Sequence, residues 1–179
     1  DAKEGVIALS GDQIKTSIIE VNCETDFVAK NDDFLSFANQ LTKAIHESDS
    51  IKPEGNFDDI SSISLNEKDL NSALTDLISK IGENIQIISY KKYHSDNSIF
   101  INYLHNKYNS SCSKIASVVE ISTNDTKKAS EISDDLKVVA MQVSAMKPMG
   151  LNEESIDPKV LGDEKDIILK QIENTPDDK

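Results

Sequence analysis

Twice along this chain, two short runs rich in Ile, Val and Thr are followed by a stretch whose apolar residues recur at helical spacing. Residues 5–10 and 13–22 are strand candidates separated by the turn residues Gly11-Asp12, which reads as a hairpin. Phe34, Phe37, Ala38, Leu41 and Ile45 then fall on one helical face. Thr25 or Asn31 is its candidate cap. The pattern returns with strands predicted over 98–105 and 114–122 and a helix over 126–147, where Ala129, Ile132, Leu136, Val139, Ala140 and Val143 share a face until Pro148 ends it. The second strands end in IIEVN and VVEIS, a weak hint of internal duplication.

Between these units residues 48–64 are polar and loop-like. A helix follows, with Asn66 as expected N-cap, Glu67 and Asp69 in its first turn, and Leu70, Ala73, Leu74, Leu77, Ile78 and Ile81 as one stripe. Gly82 stands where a C′ glycine ends a helix, and residues 84–93 read as a strand. The turn-rich residues 94–98 mark a boundary. Asp157-Pro158 starts a last amphipathic helix running towards Asn174, and the TPDDK tail is expected to fray. The expected fold is therefore α+β. Two related subdomains, 1–97 and 98–179, each hold a small antiparallel sheet (a hairpin plus a further strand) packed against helices.

Composition narrows the function. The chain has 179 residues and a net charge of −13, and its only short basic clusters are Lys91-Lys92 and Lys127-Lys128. Binding to DNA, RNA or an anionic membrane needs clustered cations, so neither is an expected partner. An acidic protein is better suited to a basic or mixed protein surface. All 19 basic residues are Lys, which removes bidentate Arg recognition and any arginine finger. The apolar runs are too short for a transmembrane helix, and DAKEGVIAL has no signal-peptide pattern. Cys23 and Cys112 form no CxxC, so a reducing cytosol is the simplest setting.

Motifs for bond-making chemistry are missing. Six Gly make neither GxGxxG nor a P-loop, and His46, His94 and His105 make no HxxxH pair. The acidic pairs Asp32-Asp33, Asp58-Asp59 and Asp134-Asp135 read as loops or first helical turns. Cys23 follows a strand without a neighbouring His and reads as a small buried residue. No cofactor, metal or enzymatic activity is expected. What stands out is Asp26-Phe27, an aromatic beside a carboxylate at a strand-to-helix corner. Phe27 either anchors the core there or projects with Asp26 into a partner. Residue chemistry alone leaves both open.

The eleven residues EVNCETDFVAK, 20–30, resemble the signature of bacterial elongation factor Ts. KIGENIQI at 80–87, GVIAL near the start and MQVSAMKP at 141–148 agree in order and spacing, so the resemblance covers nearly the whole chain. It implies a nucleotide exchange factor without bond-making chemistry. The implied partner is the GDP-bound GTPase elongation factor Tu, from which such a factor displaces Mg²⁺ and releases GDP. The family's TDFV wedge falls on Thr25, Asp26, Phe27 and Val28, and a further contact falls on Ile81. A histidine in a Tyr-x-His-Gly element falls on Tyr103 and His105, although Asn106 stands in place of Gly and the following loop is longer. The resemblance also implies a dimerisation region, hence a homodimer. It places the family's N-terminal helical module before residue 1 and, in many members, a helical hairpin and last strand after the end. The alternative is a docking or dimerisation fragment of the same family without exchange activity of its own.

Overall fold

Strand β1 (Glu4–Gly11) ends at a glycine because the reversal needs one. Gly11 has φ +109°, and a Cβ there would meet the carbonyl oxygen of Lys15 and the ring of His46. The Asp12 carboxylate then accepts the amides of Ile14 (2.8 Å) and Lys15 (2.9 Å), closing the turn into β2 (Lys15–Cys23). In this computed structural model residues 2–173 are described. They fall into two compact units, one ending at Ala145 and one beginning at Met146.

In the first unit a 3₁₀ turn over Val28–Lys30 leads into α1 (Asp32–Glu47). Asn31 is the helix cap, its side chain accepting the amides of Asp33 and Phe34. The two-residue strands β3 (Glu54–Gly55), β4 (Ser64–Leu65) and β5 (Lys68–Asp69) precede α2 (Leu70–Ile81). Then come β6 (Gln86–His94), β7 (Ser98–Lys107), β8 (Cys112–Ser122), α3 (Thr126–Glu131) and α4 (Ser133–Met146). Six strands form one antiparallel sheet in the order β3-β6-β2-β1-β8-β7. The fold is α+β, as the sequence predicts.

The two hairpins, β1-β2 and β7-β8, meet at a seam of two registered pairs, Ile7 with Ser113 and Ala8 with Cys112. Val6, Ala8, Ile19, Val21 and Cys23 share one face by strand alternation, and α1 lays Phe34, Phe37, Ala38, Leu41 and Ile45 on them. Cys112 belongs to that cluster. Five residues further along β8, alternation turns Ser117 to the opposite face, where its hydroxyl donates to the Ala140 carbonyl of α4 at 2.6 Å. A smaller cluster forms there from Ile99, Ile101, Ala129 and Ala140. The second unit contains a 3₁₀ turn at Glu153–Ser155 and α5 (Pro158–Glu173), tied by Lys165 to Glu153 at 2.8 Å.

Three local expectations need correction. Asn66 does not cap α2. Asn66 and Glu67 have φ 50° and 66° and form the turn joining β4 to β5, while the cap is Asp69, whose carboxylate accepts the Ser72 amide. Asn suits both a cap and a left-handed turn, and the Ser64–Asp69 and Leu65–Lys68 pairings decide for the turn. The helix expected over 126–147 is two helices that break at Ile132. Of its expected stripe Ala129, Leu136 and Ala140 join the small cluster, while Ile132 and Val139 are exposed and Ser133 and Ser144 are buried instead. Small residues let α4 approach the sheet closely enough for the Ser117 bond. Of the last helix and tail, residues 174–179 lie outside the described residues.

Candidate functional site

The corner after β2 is built from three consecutive devices. Val28 and Ala29 turn inward and are buried, Val28 at 9% exposure. In a 3₁₀ turn residues three apart lie on one side, so Phe27 and Lys30 are left facing outward together. Phe27 is 81% exposed, the second most exposed large apolar side chain among the described residues. A Phe in water forgoes about 1.5–3 kcal/mol of burial. Its backbone is ordinary right-handed helix, φ −66° and ψ −46°, so the exposure does not come from strain.

The frame beneath Phe27 is heavily bonded. Thr25 donates its hydroxyl to Glu83 Oε1 at 2.6 Å, and that hydroxyl accepts the Val28 amide at 3.3 Å. Glu83 Oε2 accepts the amides of Thr25 (3.1 Å) and Glu24 (3.2 Å). The Thr25 carbonyl accepts the Ala29 amide and the Cys23 thiol, both at 3.2 Å. Cys23 is fully buried, and its thiol is pushed up to about 11, first by burial and then by the charges of Glu83 and Glu4. A thiol so held stays protonated at neutral pH and is a poor nucleophile.

Asp26 is exposed and paired. Its carboxylate binds Lys30 Nζ at 2.7 Å, one helical turn on. The hydrogen bond from Lys30 is the main reason its pKa lies below the usual carboxylate range, and Lys114 near the start of β8 adds a smaller attraction. The corner thus presents an aromatic ring beside a neutralised ion pair.

Ile81 is the last residue of α2 and is partly buried against the main core. Gly82 follows with φ +82°, a left-handed C-cap, and returns the chain so that Glu83 meets Thr25. The structure therefore joins the TDFV and KIGEN segments through Glu83. Sequence reading singled out both segments but not Glu83, because no local pattern marks a carboxylate whose partners lie 58 residues away.

His105 lies elsewhere, exposed near the end of β7, its Nδ1 3.1 Å from the Tyr103 hydroxyl with the rings 6.0 Å apart. Asn106 has φ 53°. That conformation favours Gly and, among other residues, Asn. The replacement of Gly by Asn therefore leaves the local backbone course accessible. The loop beyond is closed by Asn109, whose side chain accepts the amides of Ser111 and Cys112.

No group of three or more His, Cys, Asp or Glu is arranged to hold a metal among the described residues. Nor is any described helix long and apolar enough to cross a membrane.

Comparison with known proteins fits this corner into a lineage. A sequence model described as elongation factor TS matches residues 24–179. The elongation factor Ts of Alkalilimnicola ehrlichii is 37% identical over 172 residues, covering 95% of this chain and 53% of that protein. Those of Clostridium kluyveri and Polynucleobacter necessarius are 36% and 33% identical, covering 97% and 94% of this chain but 55% and 51% of theirs. The chain spans about half the length of the curated relatives it matches. The chain belongs to the elongation factor Ts family.

Proposed function

We propose that this chain acts in translation elongation in the cytoplasm as a guanine-nucleotide exchange factor for elongation factor Tu. It binds the GDP-bound GTPase, disturbs its Mg²⁺ site and promotes GDP release. The observation that carries this reading is Phe27, 81% exposed on a frame fixed by Glu83 within a segment matched to the family. A corner whose backbone is already fixed loses little further freedom when its aromatic side chain enters a partner's pocket. Val28 backs it from the core and Thr25 holds the turn. Asp26 exchanges its Lys30 contact for groups of the partner. Ile81 and His105 are further contacts.

Magnitudes require more than one contact. Nanomolar nucleotide binding is worth about 12 kcal/mol. Weakening it by four decades takes roughly 5.5 kcal/mol of coupling, and burying one Phe provides about 1.5–3 kcal/mol. Phe27 alone is insufficient, so a second region must grip the partner. Coupling is reciprocal, so nucleotide expels the factor as strongly as the factor expels nucleotide.

The test follows fluorescent GDP leaving elongation factor Tu with and without the chain, alongside Phe27→Ala. Faster release that the variant loses supports the reading. A second reading, a docking or homodimerising fragment without exchange activity of its own, is favoured by the half-length coverage of the relatives. Binding without accelerated release would select it.

A further inference from the structure

We infer that Glu83 is the positioning residue of the Phe27 corner, a latch that makes the β2 corner and the α2-β6 corner one rigid surface. This rests on the exchange reading above. One carboxylate satisfies three donors: two consecutive backbone amides, Glu24 and Thr25, and the Thr25 hydroxyl at 2.6 Å. Bonds to an ionised acceptor are the strong class of hydrogen bond. They also cross 58 residues of sequence, so they fix two segments rather than one turn.

The latch depends on Gly82. Its φ of +82° turns the chain back, and a Cβ there would meet nothing within 4 Å. Glycine is thus required for conformation and not for space. The relay then runs from Glu83 to the Thr25 hydroxyl, and from that hydroxyl to the Val28 amide at 3.3 Å. Val28 adjoins Phe27 and begins the turn that points it outward. Glu83 therefore acts on the partner through Phe27, without needing to touch it. Ile81 stands two residues before Glu83, so the same latch holds both proposed contacts in register.

The test is a double-mutant cycle on GDP release from elongation factor Tu at sub-saturating chain, using Glu83→Ala, Phe27→Ala and both together. Glu83→Ala alone is expected to slow accelerated release about tenfold, the scale on which a charge-assisted bond acts. In the Phe27→Ala background it should cost little more. Glu83→Gln should lie between, because an amide oxygen still accepts the backbone amides while its nitrogen cannot accept the Thr25 hydroxyl. Equal losses in both backgrounds would overturn the proposal, since Glu83 would then act independently of Phe27. Amide hydrogen exchange on the free chain gives a readout that needs no partner. Glu83→Ala should deprotect Glu24, Thr25 and Val28 while α1 stays protected, and unchanged rates at the corner would also overturn the latch. If the unmodified chain fails to speed GDP release, the exchange reading falls, and the amide rates alone decide whether Glu83 holds the corner.

Discussion

The two hairpin–helix pairs follow one pattern and are finished differently. The first buries Phe34, Leu41 and Ile45 completely under β1 and β2, and carries its naked aromatic only at the corner. The second packs Ala129 and Ala140 on Ile99 and Ile101, and α4 leaves Val138, Val139 and Met141 exposed. In the first pair large side chains make the frame. In the second, close approach and hydroxyl bonds do. A rigid frame can fix the backbone that carries an exposed ring, whereas a frame of small residues holds position through polar bonds that must all be satisfied.

The strongest way to break this comparison is to treat Phe34 and Phe27 alike. Phe34→Ala removes a fully buried ring and should cost about 3–5 kcal/mol in urea unfolding, while Phe27→Ala should change stability by no more than about 0.5 kcal/mol. Similar losses would make the corner part of the core. The next test belongs to the second pair. Ser144 donates to the Ser117 hydroxyl at 3.0 Å, which in turn donates to the Ala140 carbonyl. Ser117→Ala leaves the buried Ser144 hydroxyl without its acceptor and removes the cross-link to the Ala140 carbonyl, and should cost about 1–3 kcal/mol by thermal unfolding. No loss would mean that α4 is held by something other than these bonds.

A smaller effect is expected at Asn31, the cap of α1. Asn31→Ala should cost about 1 kcal/mol, read as a shift in the denaturation midpoint. The smallest concerns pH. His46 meets Ser17 at 3.1 Å below the first hairpin, near Asp12, Lys15, Lys92 and Glu47. Burial is the main cause that lowers its affinity for a proton below the ordinary value of 6.5. The unfolded chain then binds more protons than the folded one below that pH, so stability should fall as pH drops through 6.5. His46→Gln should flatten that slope in pH-dependent unfolding; an unchanged slope would place the effect in other groups.

What sequence revealed and concealed follows the range of the interaction responsible. The first hairpin and the Gly82 helix end are legible, and Asn31 is one of two legible cap candidates beside Thr25, because each is settled within a few residues. Asn66 is ambiguous in sequence because the same residue serves a cap and a left-handed turn, and the pairing of Ser64 with Asp69 and Leu65 with Lys68 chooses between them. The 126–147 stripe is legible at Ala129, Leu136 and Ala140 but not at Ile132 and Val139, because periodicity favours large apolar residues where the sheet accepts Ser133 and Ser144. At the corner, Asp26 and Phe27 were legible as an oddity. Their frame was not, since Glu83 is joined to Thr25 only by the tertiary fold.

The narrow seam between β1 and β8 has a consequence for biosynthesis. Its partners lie about 100 residues apart in the chain. At a ribosomal pace of 5–20 residues per second, the outer edge of β1 waits roughly 5–20 s for β8 to emerge. During that interval β1 can already pair with β2, while its other side stays an open template for strand addition. Closing so long a loop is entropically late. The two hairpins therefore cannot join before β8 has emerged, and until then the outer edge of β1 is open to mispairing.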